Sequence, residues 1–163
     1  MQTSHNEYRS KYSVGQLIGQ DNRIETVISE DAGDIDIGQS VFKGTNDNQA
    51  KKPTGAFTLA AFQGVVIKNQ VLEKAIGTGN LAIEDEESFS VVTKGRIAVL
   101  VEDTVAKGDD VFFVHTAGTS SQYTYRTDLD TNKASQIPAK FLESGVTGDI
   151  LLIDVNADLS VAI

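Results

Sequence analysis

The residues in this chain whose types and spacing could do chemistry are two histidines and two groups of short polar side chains. Asp128, Asp130 and Asn132 have the D-x-D-x-N spacing that opens a calcium loop, where alternating oxygens wrap a hard cation. The pattern then breaks. Lys133 stands where the sharp turn needs glycine, and Ala139 where a bidentate glutamate would close the coordination. Asp31, Asp34 and Asp36, flanked by Gly33 and Gly38, form a second cluster. Both read more simply as loops whose carboxylates make Asx turns. His5 and His115 would need to meet beside a carboxylate to bind a metal. His5 lies in a polar terminus, and His115 ends a strand next to a turn, a place expected to be at the surface.

Other catalytic constellations fail in the same way. With no cysteine, thiolate ligands, disulfides and cysteine nucleophiles are excluded together. There is no G-x-S-x-G elbow. Gly77-Thr78-Gly79 lacks the third glycine of a dinucleotide site, and no G-x-x-x-x-G-K-[ST] occurs. A hydrolase built on paired carboxylates needs no motif, but there is no tryptophan to stack a sugar. The reading is a non-enzymatic chain without cofactor or metal.

The elements that would position such residues are strands. A chain of 163 residues is the size of one domain. Fourteen Lys and Arg against 23 Asp and Glu leave a net charge of −9, which argues against a nucleic-acid partner. Lys51-Lys52 is the one adjacent basic pair, too little for a phosphate-binding patch. No apolar run approaches the ~20 residues that cross a bilayer, so no membrane partner is expected. The first residues lack the apolar core of a secretory signal.

Ser88–Thr116 is the organising stretch. It reads as three strands, Ser88–Thr93, Arg96–Glu102 and Val111–His115, with Gly95 and Gly108 where the chain reverses or kinks. Before it, Arg23–Ser29 alternates with period two, setting Ile24, Thr26 and Ile28 against Glu25 and Val27. Ile35–Lys43, Phe57–Gln63 and Gly64–Leu72 are further strands, and Glu73–Ser88, with its acidic run Glu84–Glu87, is a solvated connection. After it come Gln122–Thr127, with Tyr123 and Tyr125 on one side, a polar loop at 128–135, extended Ile137–Phe141, and a buried strand over Asp149–Val155. No segment keeps a helical period for three turns. The fold expected is all-β, a compact barrel or sandwich of short antiparallel strands.

Two echoes point to paired β units. Gly38-Gln39-Ser40-Val41-Phe42 resembles Gly108-Asp109-Asp110-Val111-Phe112, and Gly64-Val65-Val66-Ile67 resembles the stretch from Gly95 to Val99. Residues 1–13 are polar, with Tyr8 and Tyr12 spaced four apart and Arg9 between them. They read as a frayed end or as an extended N-terminal arm ordered on a partner, with Tyr8, Arg9 and Tyr12 as contacts. The division expected is an arm at 1–13 and a single β-domain at 14–163.

The order of pieces resembles the structural cement, or capsid decoration, proteins of tailed bacteriophages. Four segments carry the resemblance: Gly38–Asp47; Phe62–Gln70; Phe89–Val99 followed by Val105–Phe112; and Ile137–Phe141 leading into Ile150–Val155. The third, V-x-x-x-G-x-[IV]-x-V followed by V-x-x-G-D-x-V, is the most telling. The 77–88 connection and the 122–135 segment depart from the pattern. The resemblance implies an all-β, non-catalytic protein on the outer surface of the phage head. It would be a homotrimer stabilising the expanded capsid by clamping neighbouring major capsid protein subunits. A tail-tube, connector or fibre-base component is the alternative within the same repertoire, and a β-barrel enzyme or carbohydrate-binding module the alternative outside it.

Overall fold

The computed structural model describes residues 11–30, 35–68, 83, 85–116 and 123–158. Nine strands form its sheet: β1 (Leu17–Ser29), β2 (Ser40–Lys43), β3 (Gln49–Lys51), β4 (Phe62–Val66), β5 (Ser88–Leu100), β6 (Asp110–Val114), β7 (Tyr125–Arg126), β8 (Ala134–Phe141) and β9 (Ile150–Asn156). The fold is all-β and sandwich-like, as expected. The strands are short and antiparallel apart from β1 and β5, which run for 13 residues each, and the parallel contact of β1 with β3.

Ser88–Thr93 and Arg96–Glu102 are one strand rather than two. Gly95 kinks β5 at φ +137 without reversing it. A Cβ there would collide with the side chain of Asn22, which belongs to the four residues by which β1 bulges past that point. Asn22 also accepts the Arg96 N–H at 3.1 Å. Ile35–Lys43 is likewise mostly turn, with only Ser40–Lys43 in the sheet.

The pairings form two circuits that share β5. The first runs β1–β3–β2–β4–β5 and returns to β1. The second runs β5–β9–β8–β6–β7 and returns through a parallel bridge, Val101 to Tyr125. Each relation of the first recurs in the second with the same sense. The parallel β1–β3 contact matches the Val101–Tyr125 bridge, and the antiparallel β2–β4 and β4–β5 ladders match β6–β8 and β8–β9. Strand β5 therefore ends the first lobe and begins the second. The echo at Gly38 and Gly108 marks equivalent positions, just before β2 and β6. The echo at Gly64 and Gly95 does not, since β4 is equivalent to β8 and not to β5.

Four turns repeat with the strands. Those entering β2, β5, β6 and β9 begin at residues bridged in pairs, Ile35 with Ile83 and Val105 with Gly145. In each, the residue two before the strand is left-handed: Gly38 at φ +82, Glu86 at +60, Gly108 at +95 and Gly148 at +90. In the second lobe, Asp109 and Asp149 each accept a backbone N–H within the turn at 2.9 Å. Glu86 alone meets the Cβ penalty that glycine avoids. Glu86→Gly is expected to raise stability by up to about 1 kcal/mol, while Gly108→Ala, whose methyl meets nothing within 4 Å, lowers it by about 1 kcal/mol. Urea unfolding of both variants checks this.

Two clusters fill the interior. The smaller, including Val27, Val41, Val66, Phe89 and Val91, lies within the first lobe. The larger runs from Phe42, Phe62 and Val65 of the first lobe through Val99 to Phe113, Ile137 and Phe141 of the second. The lobes thus share both a strand and a core. Tyr125, fully buried, ties them with hydrogen bonds: its hydroxyl donates to the Gly38 carbonyl at 2.8 Å and lies 2.9 Å from Ser40 Oγ.

Candidate partner-binding site

Tyr8 and Arg9 lie outside the described residues, as does His5. The described end of the arm places Tyr12 against the second lobe. Its hydroxyl donates to Glu143 Oε1 at 3.2 Å, and Lys11 Nζ reaches the same oxygen at 3.3 Å. Lys11 also sits over the Tyr12 ring, 4.9 Å from its centroid. Hydrogen bonding to Tyr12 and then Glu143 holds the Lys11 pKa above its ordinary value.

The arm leaves from a fixed root. Gly15 donates to the Ala98 carbonyl and accepts from the Lys68 N–H, both at 2.8 Å. Its φ of +75 suits glycine, and a Cβ there would run into Ile37. Val14 closes against Gly38 in the same way, so the root is wedged between β5 and the first turn. No local pattern announces this root, because the Val14–Gly19 segment carries neither charge nor motif.

The acidic loop read as an imitation calcium site holds a guanidinium instead. Arg126 Nε bonds Asp128 Oδ1 at 2.7 Å, and its Nη1 lies 2.9 Å from Glu102 Oε1 and 3.2 Å from Asp130 Oδ2. Asp103 stands 3.8 Å from Nη2. The Arg126 side chain is 16% exposed and that of Glu102 10%. Burial opposes the charge, but the hydrogen bonds to Asp128 and Glu102 outweigh it and raise the Arg126 pKa. The same Arg126 bond, with the Asp130 N–H, lowers that of Asp128. Among the described residues, no group of three or more His, Asp or Glu could hold a metal ion. Asp31 and Asp34 fall outside them.

His115 is buried, at 2% exposure, where a surface position was expected. Phe57 packs edge-on to its ring with centroids 5.9 Å apart, and Nδ1 lies 2.7 Å from Thr116 Oγ1. The sequence missed this because the cover comes from a distant loop. Burial lowers the His115 pKa, against a smaller opposing effect of the Ala134 backbone. With the folded pKa below the unfolded value of about 6.5, the unfolded chain binds the proton first. Stability should be whole above that value and fall as pH drops through it towards the folded pKa. Urea midpoints between about pH 8 and 5 should show the decline, and His115→Phe should flatten it.

What the described residues present is a braced scaffold and a pinned arm. The chain matches the structural cement protein family typified by E217 gp24 and Pam3 gp6 over residues 1–156. It belongs to that family. A chain from the capsid of Myoviridae phage XM1 has the same fold, with a TM-score of 0.70 at 16% identity over 92% of this chain and 93% of that one. The head fibre gp8.5 N base of bacteriophage phi29 gives a TM-score of 0.45 at 11% identity, over 83% of this chain and 95% of that one. No curated protein matches. The family is a structural one, so this cement protein has a non-enzymatic role in the phage head and belongs to the virion.

Proposed function

We propose that this cement protein binds the outer surface of the expanded head as a homotrimer and stabilises it by clamping neighbouring major capsid protein subunits. The family match over nearly the whole chain carries the reading. The fold supports it physically. A clamp must not yield when its contacts are loaded, and two lobes sharing a strand, a core and the Tyr125 hydrogen bonds form a stiff body. Several such bodies held by one trimer engage their sites together, so modest contacts add up to tight retention.

Residues 1–13 act as the arm and 14–163 as the β-domain that carries it. Tyr8, Arg9 and Tyr12 are the arm's partner contacts, towards capsid subunits or other copies in the trimer. The pinned root supports this, because Gly15 fixes where the arm departs. Replacing Tyr8 and Arg9 by serine should weaken retention on heads by roughly 10- to 100-fold, the loss of two anchor side chains, with the melting temperature unchanged. Equal retention of variant and parent in cosedimentation would remove the arm from the account.

A further inference from the structure

The doubling of the fold shows where a strand is missing. Strand β5, which opens the second lobe, is covered on its outer edge by the chain's own residues 15–18. Gly15 donates to the Ala98 carbonyl at 2.8 Å, Ala98 donates to the Gln16 carbonyl at 3.0 Å, and Leu17 and Ile18 pair with Ile97 and Arg96. Strand β1 opens the first lobe in the same way. Its Ser29 and Glu30 make the bonds that Val101 and Glu102 make in the second: Ser29 N–H to Glu87, Glu30 N–H to Ala50, Val101 N–H to Asp149 and Glu102 N–H to Tyr125. Counting back along both strands, Thr26 corresponds to Ala98 and Ile24 to Arg96.

Among the described residues, nothing pairs with that edge of β1. The Ser90 carbonyl accepts the Ile67 N–H, so Ser90 directs its backbone groups towards β4. Its antiparallel partner on the opposite side, Thr26, therefore points its own N–H and C=O away from β5. Ile28, two residues on, points the same way and donates to the Asn48 carbonyl at 2.9 Å. Ile24 and Thr26 are both exposed, and Ile24, at 47%, is one of the few large apolar side chains so placed. An apolar strand edge left open is a template for another strand.

We propose that the β1 edge at Ile24–Thr26 receives, as an added antiparallel strand, the N-terminal arm of a second copy of this chain. The segment covering the equivalent edge of β5 is the direct continuation of the arm, whose Lys11 and Tyr12 lie on the second lobe of the same body at Glu143, so the residues before Lys11 are the ones free to reach a neighbour. The sequence from Tyr8 to Tyr12 alternates Tyr, Arg, Ser, Lys, Tyr, so an extended arm sets both tyrosines on one face and both cations on the other. Lys11 is held by Glu143 of its own body, which leaves Arg9 as the cation that meets an edge including Glu25, itself about half exposed. Such a contact is head-to-tail, and three of them close a ring. The proposal rests on the arm being a contact, as read above, and names its partner.

The test needs no capsid, so its failure is separate from a failure to bind heads. Thr26→Pro removes an N–H that β5 does not use, which an edge strand tolerates. Tyr8→Pro with Arg9→Pro leaves the edge intact but denies the arm its donors. Light scattering over a concentration series should show the parent self-associating and each variant alone as a monomer. Mixing the two variants should give a one-to-one complex, one sound arm in one sound edge. Circular dichroism checks that both are folded, and Ile24→Lys serves as a second edge variant should Thr26→Pro unfold. Self-association of the arm variant alone would mean that the edge pairs with itself, and a parent that stays monomeric would leave the edge to another partner. Either result overturns the proposal.

Discussion

Replacing Arg126 by methionine should destabilise the protein by roughly 3–5 kcal/mol, the cost of leaving buried charges unpaired. Four carboxylates converge on this guanidinium, from Glu102 and Asp103 after β5 and from Asp128 and Asp130 after β7. Glu102 is more deeply buried than Arg126 itself, and losing the cation strands it beside three like charges. The loop it faces is also under backbone strain. Asp130, Thr131 and Asn132 all have positive φ, which for a β-branched threonine costs about 1–2 kcal/mol. Arg126 holds that loop against its strain. Arg126→Lys should recover only part of the loss, since an ammonium cannot reproduce the directed bonds to Asp128 and Glu102. Urea unfolding of the two variants gives both numbers. A loss under 1 kcal/mol for Arg126→Met would show the cluster to be an ordinary solvated surface.

Tyr125→Ala should cost a similar amount, about 3–5 kcal/mol, because it empties one of the largest fully buried side chains. Tyr125→Phe separates packing from hydrogen bonding. It keeps the ring against Phe113, 5.1 Å away between centroids, but leaves buried Ser40 and the Gly38 carbonyl without the hydroxyl. The expected cost is about 1–3 kcal/mol. Burial pushes the phenol pKa well up, despite the opposing Ser40 hydrogen bond, so the tie does not loosen with pH over the neutral range. Since it joins the lobes, Tyr125→Phe should also quicken amide exchange around Gly38 and Ser40 relative to the β5–β9 ladder.

The strands were legible in the sequence wherever one lobe decides their pattern. Asp149–Val155 is read as buried and forms β9 with Leu151 to Ile153 inside, and Pro138 sits in an extended β8 as its neighbours required. In β1 the alternation holds, with Val27 buried and Ile24 and Thr26 exposed, but the pattern alone does not say which of the two sets faces the core. A longer reading was only partly right. Gln122–Thr127 read as a strand with two tyrosines on one face. Gln122 falls outside the described residues; among the rest, Tyr125 and Arg126 form the strand, while Tyr123, at φ +71, bonds Val114 from a turn, and both rings still rest on Phe113.

The duplication was half visible, through the Gly38 and Gly108 turns. It was hidden at Glu86, where the same conformation is held without the glycine that would have announced it. The candidate contacts were less legible than the fold. An arm's composition shows that it can bind, but its root at Gly15 and its meeting with Glu143 are long-range facts that no local pattern carries.

A protein proposed to cement the head from outside must bind assembled capsid and hold its subunits together. Cosedimentation of the purified protein with undecorated, expanded heads of its parent phage tests it most directly, with heat-driven DNA release measured on the same heads. Saturable binding at one trimer per threefold-type site, with release shifted to higher temperature, is the expected result. Heads that sediment bare and rupture at the same temperature with or without the protein would contradict it.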